Sequence, residues 1–165
     1  MGRTGHYANR PSAEMTDITI ERTYPTSPER VWELWTTPAG IEQWWAPDRF
    51  EAKVAKLELE PGGELDHSPT ATAPEQIEFM KNAGLPLTNH ARERFTEVEP
   101  VRRLAYVSEV DFVSGVEPYE HRRRSICAPC ADGVRVVMTV EPMHEDLWTQ
   151  RLVASWTTSD GCSGR

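Results

Sequence analysis

The sequence predicts an α+β domain: a curved antiparallel β-sheet, two short helices after the first strand, and a further helix at the C-terminus. Three observations carry this expectation. Two helix starts follow one another within "YPTSPERVWELWTTPAGIEQWWAP" at residues 24–47. From Phe50 to Val140, apolar residues recur mainly at every second position, with turn signals between the runs. The stretch "MHEDLWTQRLVASW" at 143–156 then places Trp148, Leu152 and Trp156 at four-residue spacing. An antiparallel sheet with one apolar face needs a cover, and this last helix is the expected one.

Each element has a local reason. "DITIERTY" at 17–24 alternates as a half-buried strand does. Ser27 is a good N-cap, and Pro28 suits the first helical position, where its missing N–H costs nothing. Val31, Leu34 and Trp35 then share one helical face. Thr37-Pro38 repeats the start signal, giving a second short helix with Ile41, Trp44 and Trp45 that stops before Pro47. In the next strand Phe50, Ala52 and Val54 share one parity, and Ala55, Leu57 and Leu59 the other. That change predicts a bulge near Val54-Ala55. Pro61-Gly62-Gly63 marks a turn, and "ELDHS" begins the returning strand. Residues 69–90 interrupt the meander with a helical pattern, "APEQIEFMKNAG", closed by Gly84 as a C′ glycine. Strands resume at "ARERFTEVEP", at "RRLAYVSEVDF", after Pro118 and at "GVRVVMTVEP". Glu145 and Asp146 occupy the first turn of the last helix, where its dipole favours acidic groups.

Bulk properties narrow the function classes. A chain of 165 residues fits one domain with a proper core. Residues 1–15 read as a disordered leader, with Met15 as an alternative start; residues 16–157 form the domain, and 158–165 a tail. A formal charge of -8 argues against nucleic acid, since an acidic surface repels phosphate. No apolar run reaches the roughly 18–20 residues that span a bilayer, and the opening residues contain no secretory h-region. Three cysteines, Cys127, Cys130 and Cys162, suggest a reducing cytoplasmic setting without a disulfide framework. The Cys127-x-x-Cys130 pair lacks the second ligand pair that zinc would want, and reads as two loop cysteines. His67, His90 and His121 lie far apart, with no paired metal-ligand spacing. No nucleophile elbow, P-loop or dinucleotide glycine pattern is present. No metal or other cofactor is expected.

The helix start "VWELWTTP", the tandem Trp44-Trp45 with Pro47, and Pro61-Gly62-Gly63 carry a resemblance. "RFTEVEPVRRLAY" at 94–106 and "PMHEDLWTQR" at 142–151 extend it. In this order, from about Asp17 to Trp156, the set resembles the START-like (SRPBCC) superfamily with its helix-grip fold. Within that superfamily it is most similar to the family related to the C-terminal domain of the activator of the heat-shock protein 90 ATPase. The resemblance implies a curved sheet gripping a C-terminal helix with a hydrophobic cavity between them, where many relatives hold apolar or aromatic small molecules. Two segments depart from the family pattern. "HRRRSICAPC" at 121–130 puts three arginines side by side, so at least one must lie on the inner face. After Trp156, "TTSDGCSGR" has no apolar period, which leaves the C-terminal helix about 20 Å long.

Two sets of side chains are candidates for a site in that cavity. His144, Trp148 and Arg151 project from neighbouring parts of one helical face. Arg151 suits a carboxylate or phenolate, His144 proton transfer or donation, and Trp148 stacking. Equally, Trp148 is core, Arg151 snorkels to a surface carboxylate and His144 caps the first turn. Tyr106, Asp111, Glu117 and Tyr119 form the second set, at the sheet edge and the Gly115 loop; their acids serve there as bases, or are simply solvated. At most one of Trp44 and Trp45 can face the cavity, because adjacent helical residues point about 100° apart; Trp45 is the candidate. The expected function is binding of a small apolar or aromatic molecule, without nucleic-acid or membrane partners. A co-chaperone-like interaction module, with a homodimer or chaperone partner, and a cofactor-independent cyclase or hydrolase are the alternatives. Fold does not choose among them.

Overall fold

The computed structural model describes residues 16–46, 49–111, 115–143 and Gln150. Their element order is β1 (Ile18–Tyr24), α1 (Pro28–Thr36), α2 (Pro38–Trp44), β2 (Phe50–Leu57), β3 (Glu64–Ala71), α3 (Pro74–Asn82), β4 (Ala91–Glu99), β5 (Arg103–Val110), β6 (Tyr119–Cys130) and β7 (Gly133–Val140). The strands form one seven-stranded antiparallel sheet in the order β1-β7-β6-β5-β4-β3-β2. Chain neighbours pair throughout, except that β1 closes on β7. The sheet and its helices give the predicted α+β helix-grip-like architecture, while the expected C-terminal helix lies outside the described residues apart from Met143 and Gln150. Among the described residues no helix is long and apolar enough to cross a membrane.

The two N-terminal helices form as their start signals require. The Ser27 side chain accepts from the Arg30 N–H at 3.2 Å, and Pro28 opens α1. Thr37 then works on both sides of the junction. Its hydroxyl donates to the Glu33 carbonyl at 2.8 Å and accepts from the Gly40 N–H at 3.0 Å, ending α1 and capping α2. A Cβ at Gly40 would lie 2.6 Å from the Glu33 carbonyl oxygen and from the Leu34 Cα, so only glycine lets the helices meet this closely. Val31, Leu34, Trp35 and Ile41 are buried and pack with Leu65, Phe95, Leu104, Cys127, Val134 and Val136 of the sheet. The Trp44 indole N–H donates to the Leu34 carbonyl at 2.8 Å, spending that tryptophan on structure.

The predicted bulge lies at Ala55: Val54 opposes His67, and Lys56 opposes Asp66. The Val54 N–H donates to the Glu42 carboxylate at 3.0 Å, which ties α2 to the bulge and holds that carboxyl below its ordinary range. A second bulge, at Thr96, separates the Phe95–Tyr106 pair from the Glu97–Ala105 pair. Helix α3 ends at Gly84 (φ 67°), where the Gly84 N–H donates to the Lys81 carbonyl and the Leu85 N–H to the Met80 carbonyl. This pattern is a full Schellman closure.

Strand β7 alternates as expected, with Val134, Val136, Met138 and Val140 buried. The three arginines of β6 divide as the pleat demands: Arg123 opposes the buried Tyr106, while Arg122 and Arg124 are exposed on the outer face. One expectation is corrected. Cys127 and Cys130 are strand residues, because β6 continues through "ICAPC" to a tight Ala131-Asp132 hairpin turn; Cys127 is buried and Cys130 exposed.

Two turns give opposite stability predictions. A Cβ at Gly133 (φ 128°) would collide with the Tyr24 carbonyl oxygen where β1 leaves the sheet. Gly133→Ala is therefore expected to cost at least about 2 kcal/mol in urea unfolding, and a cost under about 0.5 would refute the close approach. Val101 occupies a left-handed position (φ 63°) that is unfavourable for a β-branched residue. Val101→Gly is expected to gain about 0.5–1 kcal/mol in the same assay.

Candidate functional site

The sheet buries one face, and the pleat decides which side chains share it. From β3 to β6 that face carries Leu65 and His67, then Glu93 and Phe95, then Leu104, Tyr106 and Ser108, then His121, Arg123, Ser125 and Cys127. It is apolar towards α1 and polar in its middle. Register places Glu93 opposite Ser108, Ser108 opposite His121, and Tyr106 opposite both Phe95 and Arg123.

His67 and Glu93 form a buried pair, 3% and 4% exposed. The His67 Nε2 lies 3.3 Å from Oε1 and 3.1 Å from Oε2 of Glu93. The ring tautomer that donates its Nε2–H to the Glu93 carboxylate is the one that leaves the lone pair on Nδ1. The His67 Nδ1 and the Ser108 Oγ are buried and have no hydrogen-bond partner among the described residues. His121, 1% exposed, is engaged differently: its Nε2 lies 2.6 Å from the Glu141 carbonyl oxygen.

Trp45 closes over this centre from the end of α2. Its ring meets His67 edge-on at 5.2 Å between centroids and Tyr106 at 5.5 Å. Tyr106 meets Phe95 edge-on at 6.5 Å, and the Arg123 guanidinium carbon lies 5.9 Å from the Tyr106 ring centroid. Burial pushes the Tyr106 hydroxyl up to about 12; Arg123 opposes that shift and Glu93 adds to it. Tyr106 is thus a proton-bearing donor at ordinary pH.

Of the residues singled out in the sequence, Tyr106 and Trp45 come together on this face. Tyr106 sits in the central strand β5, not at the sheet edge. Tyr119, half-buried, lies opposite Val110 at the far end of the β5–β6 pair. Asp111 and Glu117 are exposed beyond the strand ends. His144, Trp148 and Arg151 lie outside the described residues. His67, Glu93, Ser108 and Arg123 were not singled out as a group. The signal for the first two was present: "LDH" at 65–67 and "ERF" at 93–95 put them at the same parity as Leu65 and Phe95. A separate groove of about 340 Å³ opens on the opposite face, lined by Arg92, Arg94, Val107, Glu109 and Glu120. Arg92 is paired with Asp66 and Arg94 with Glu120, so this groove is bedded on exposed ion pairs, and Glu93 of the buried polar centre also lines it.

The Tyr106 shift has a signed consequence. The folded chain keeps the Tyr106 proton where the unfolded chain loses it, so its contribution is complete below about pH 10 and is lost as pH rises towards 12. The loss is on the order of 3 kcal/mol. Burial also raises the Cys127 thiol to about 12, adding a loss that begins near pH 9. Denaturant unfolding at pH 9 and 11.5 should show a smaller alkaline loss in Tyr106→Phe than in the parent. Equal losses would mean that the hydroxyl reaches water.

Solved bacterial proteins share the architecture. A Chromobacterium violaceum protein is 21% identical, covering 87% of this chain and 90% of its own, at a TM-score of 0.70. One from Nitrosomonas europaea is 19% identical, covering 93% and 94%, also at 0.70. The AHSA1 protein of Silicibacter pomeroyi is 18% identical, covering 87% and 92%, at 0.66. At such identities the likeness carries the fold alone. No curated protein matches the chain. The family described as activator of Hsp90 ATPase homolog 1-like protein matches residues 25–160, spanning α1 to β7 and beyond. The chain belongs to that family.

Proposed function

We propose that this protein binds a small aromatic or apolar molecule carrying at least one polar group, seated against the inner face of the sheet. The observation that carries the reading is the buried polar centre itself. Unpartnered buried donors and acceptors each cost about 1–3 kcal/mol, so the His67 Nδ1 and the Ser108 Oγ favour a ligand that satisfies them. Trp45, Phe95 and Tyr106 supply the aromatic surroundings for the rest of such a ligand. The family name points towards a chaperone partner, but among the described residues the outer face of the sheet carries ion pairs such as Arg92–Asp66 and Arg94–Glu120, so the small-molecule reading is preferred. On this reading His144, Trp148 and Arg151 belong to the ligand's remaining contacts, with Arg151 meeting any anionic group.

Tryptophan fluorescence, titrated with aromatic natural products, fatty acids and sterols, should give saturable quenching by at least one class. Trp45→Leu should weaken that binding at least tenfold, and Arg151→Ala should weaken only anionic members. Silence across the panel in a folded sample would sink the reading, as would native mass spectrometry showing no retained small molecule.

A further inference from the structure

The buried His67–Glu93 pair is poorly explained as a device for stability. Removing two ionisable groups from water costs several kcal/mol per ion, and apolar side chains of similar volume commonly hold such a position as well or better. Leu65 and Phe95, the inner-face residues next along β3 and β4, show that this face accepts apolar filling. A pair that fixes one ring tautomer does have a chemical use: it turns the opposite ring nitrogen into an oriented base. That nitrogen, Nδ1, has no partner among the described residues.

We propose that His67 is the general base of a cofactor-independent proton-transfer site, with Glu93 as its positioning residue, acting on an enolisable aromatic ketone. The inference rests on the ligand reading above. In the reaction, the His67 Nδ1 takes a proton from the carbon next to the carbonyl. The C–H electron pair becomes the C=C bond, and the carbonyl π pair moves onto oxygen. The resulting enolate oxygen accepts hydrogen bonds from the Tyr106 hydroxyl and the Arg123 guanidinium, which adjoin each other across the β5–β6 pair. Return of the proton to the same carbon gives exchange, and return to a conjugated one gives isomerisation. No electrons are gained or lost. Trp45 touches both the His67 and Tyr106 rings and supplies an aromatic wall beside base and donors.

The test uses 2-tetralone, 1-indanone and acetophenone with the full chain in deuterium oxide. Binding is read by tryptophan quenching and α-proton loss by proton NMR. At least one ketone should bind saturably and exchange faster than in buffer. His67→Gln should lower the exchange rate of the bound ketone by about 100-fold or more with little change in affinity. Glu93→Gln keeps an acceptor for the Nε2 proton but removes the charge; it should lower the maximal rate while half-saturation stays put. Near-UV circular dichroism reports whether each variant is folded, and the isosteric Glu93→Gln covers the case in which His67→Gln is not. Saturable binding without accelerated exchange, or exchange that survives both substitutions, overturns the base and leaves the ligand reading standing. Absence of quenching by all three ketones overturns the ketone proposal, while the ligand reading stands or falls on the wider panel above.

Discussion

Hydrogen-bond register across the four strands β3 to β6 is the constraint on which the rest of the molecule depends. Side chains alternate faces along a strand, so a slip of one residue would move Tyr106 and Arg123 to the outer face and bring Val107 and Arg122 in. Two bulges hold this register while the sheet bends. At Ala55 the strand parity changes so that Val54 and Leu57 both meet the core. At Thr96 the same device lets Phe95 and Val98, three residues apart, both face inward. The two extra residues thus keep apolar side chains facing the core on both sides of each bulge.

The tryptophan-rich segment is fixed to that frame by polar contacts rather than by its aromatic area alone. One hydroxyl, on Thr37, ends α1 and begins α2, which sets the angle between two helices too short to persist alone. Glu42 then reaches the bulged strand, and Trp44 reaches back to Leu34. With both anchors made, the next residue, Trp45, can turn only towards His67 and Tyr106. Two adjacent tryptophans thus divide their work: one locks the helix pair and the other faces the polar centre.

Much of the fold was legible in the sequence because its signals are local. Ser27-Pro28 and Thr37-Pro38 announce helix starts, the parity change at Val54-Ala55 announces a bulge, and Gly84 announces a helix end. Period two also required one arginine of Arg122-Arg123-Arg124 to face inward, and the pleat selects Arg123. The site was less legible because its pairings are long-range. His67 and Glu93 are 26 positions apart, and nothing local shows that β3 and β4 set them diagonally side by side across the α3 excursion. Cys127-x-x-Cys130 misled for the opposite reason. Pro129 and the nearby Asp132-Gly133 suggest a loop, yet the strand runs on to the hairpin.

The placement of charge on the two faces completes the argument. The outer face carries its arginines beside carboxylates in water, as in Arg92–Asp66, Arg94–Glu120 and Arg135–Glu21, where each pair contributes little and solvates much. The inner face carries a histidine, a glutamate, a tyrosine and an arginine where water is scarce and each interaction is correspondingly strong. A domain needing only a core would place apolar side chains at those four positions, as it does two residues along three of the strands at Leu65, Phe95 and Leu104. That asymmetry is energetically costly as long as the open hydrogen bonds stay unmade, and the proposed ligand is the partner that would complete them.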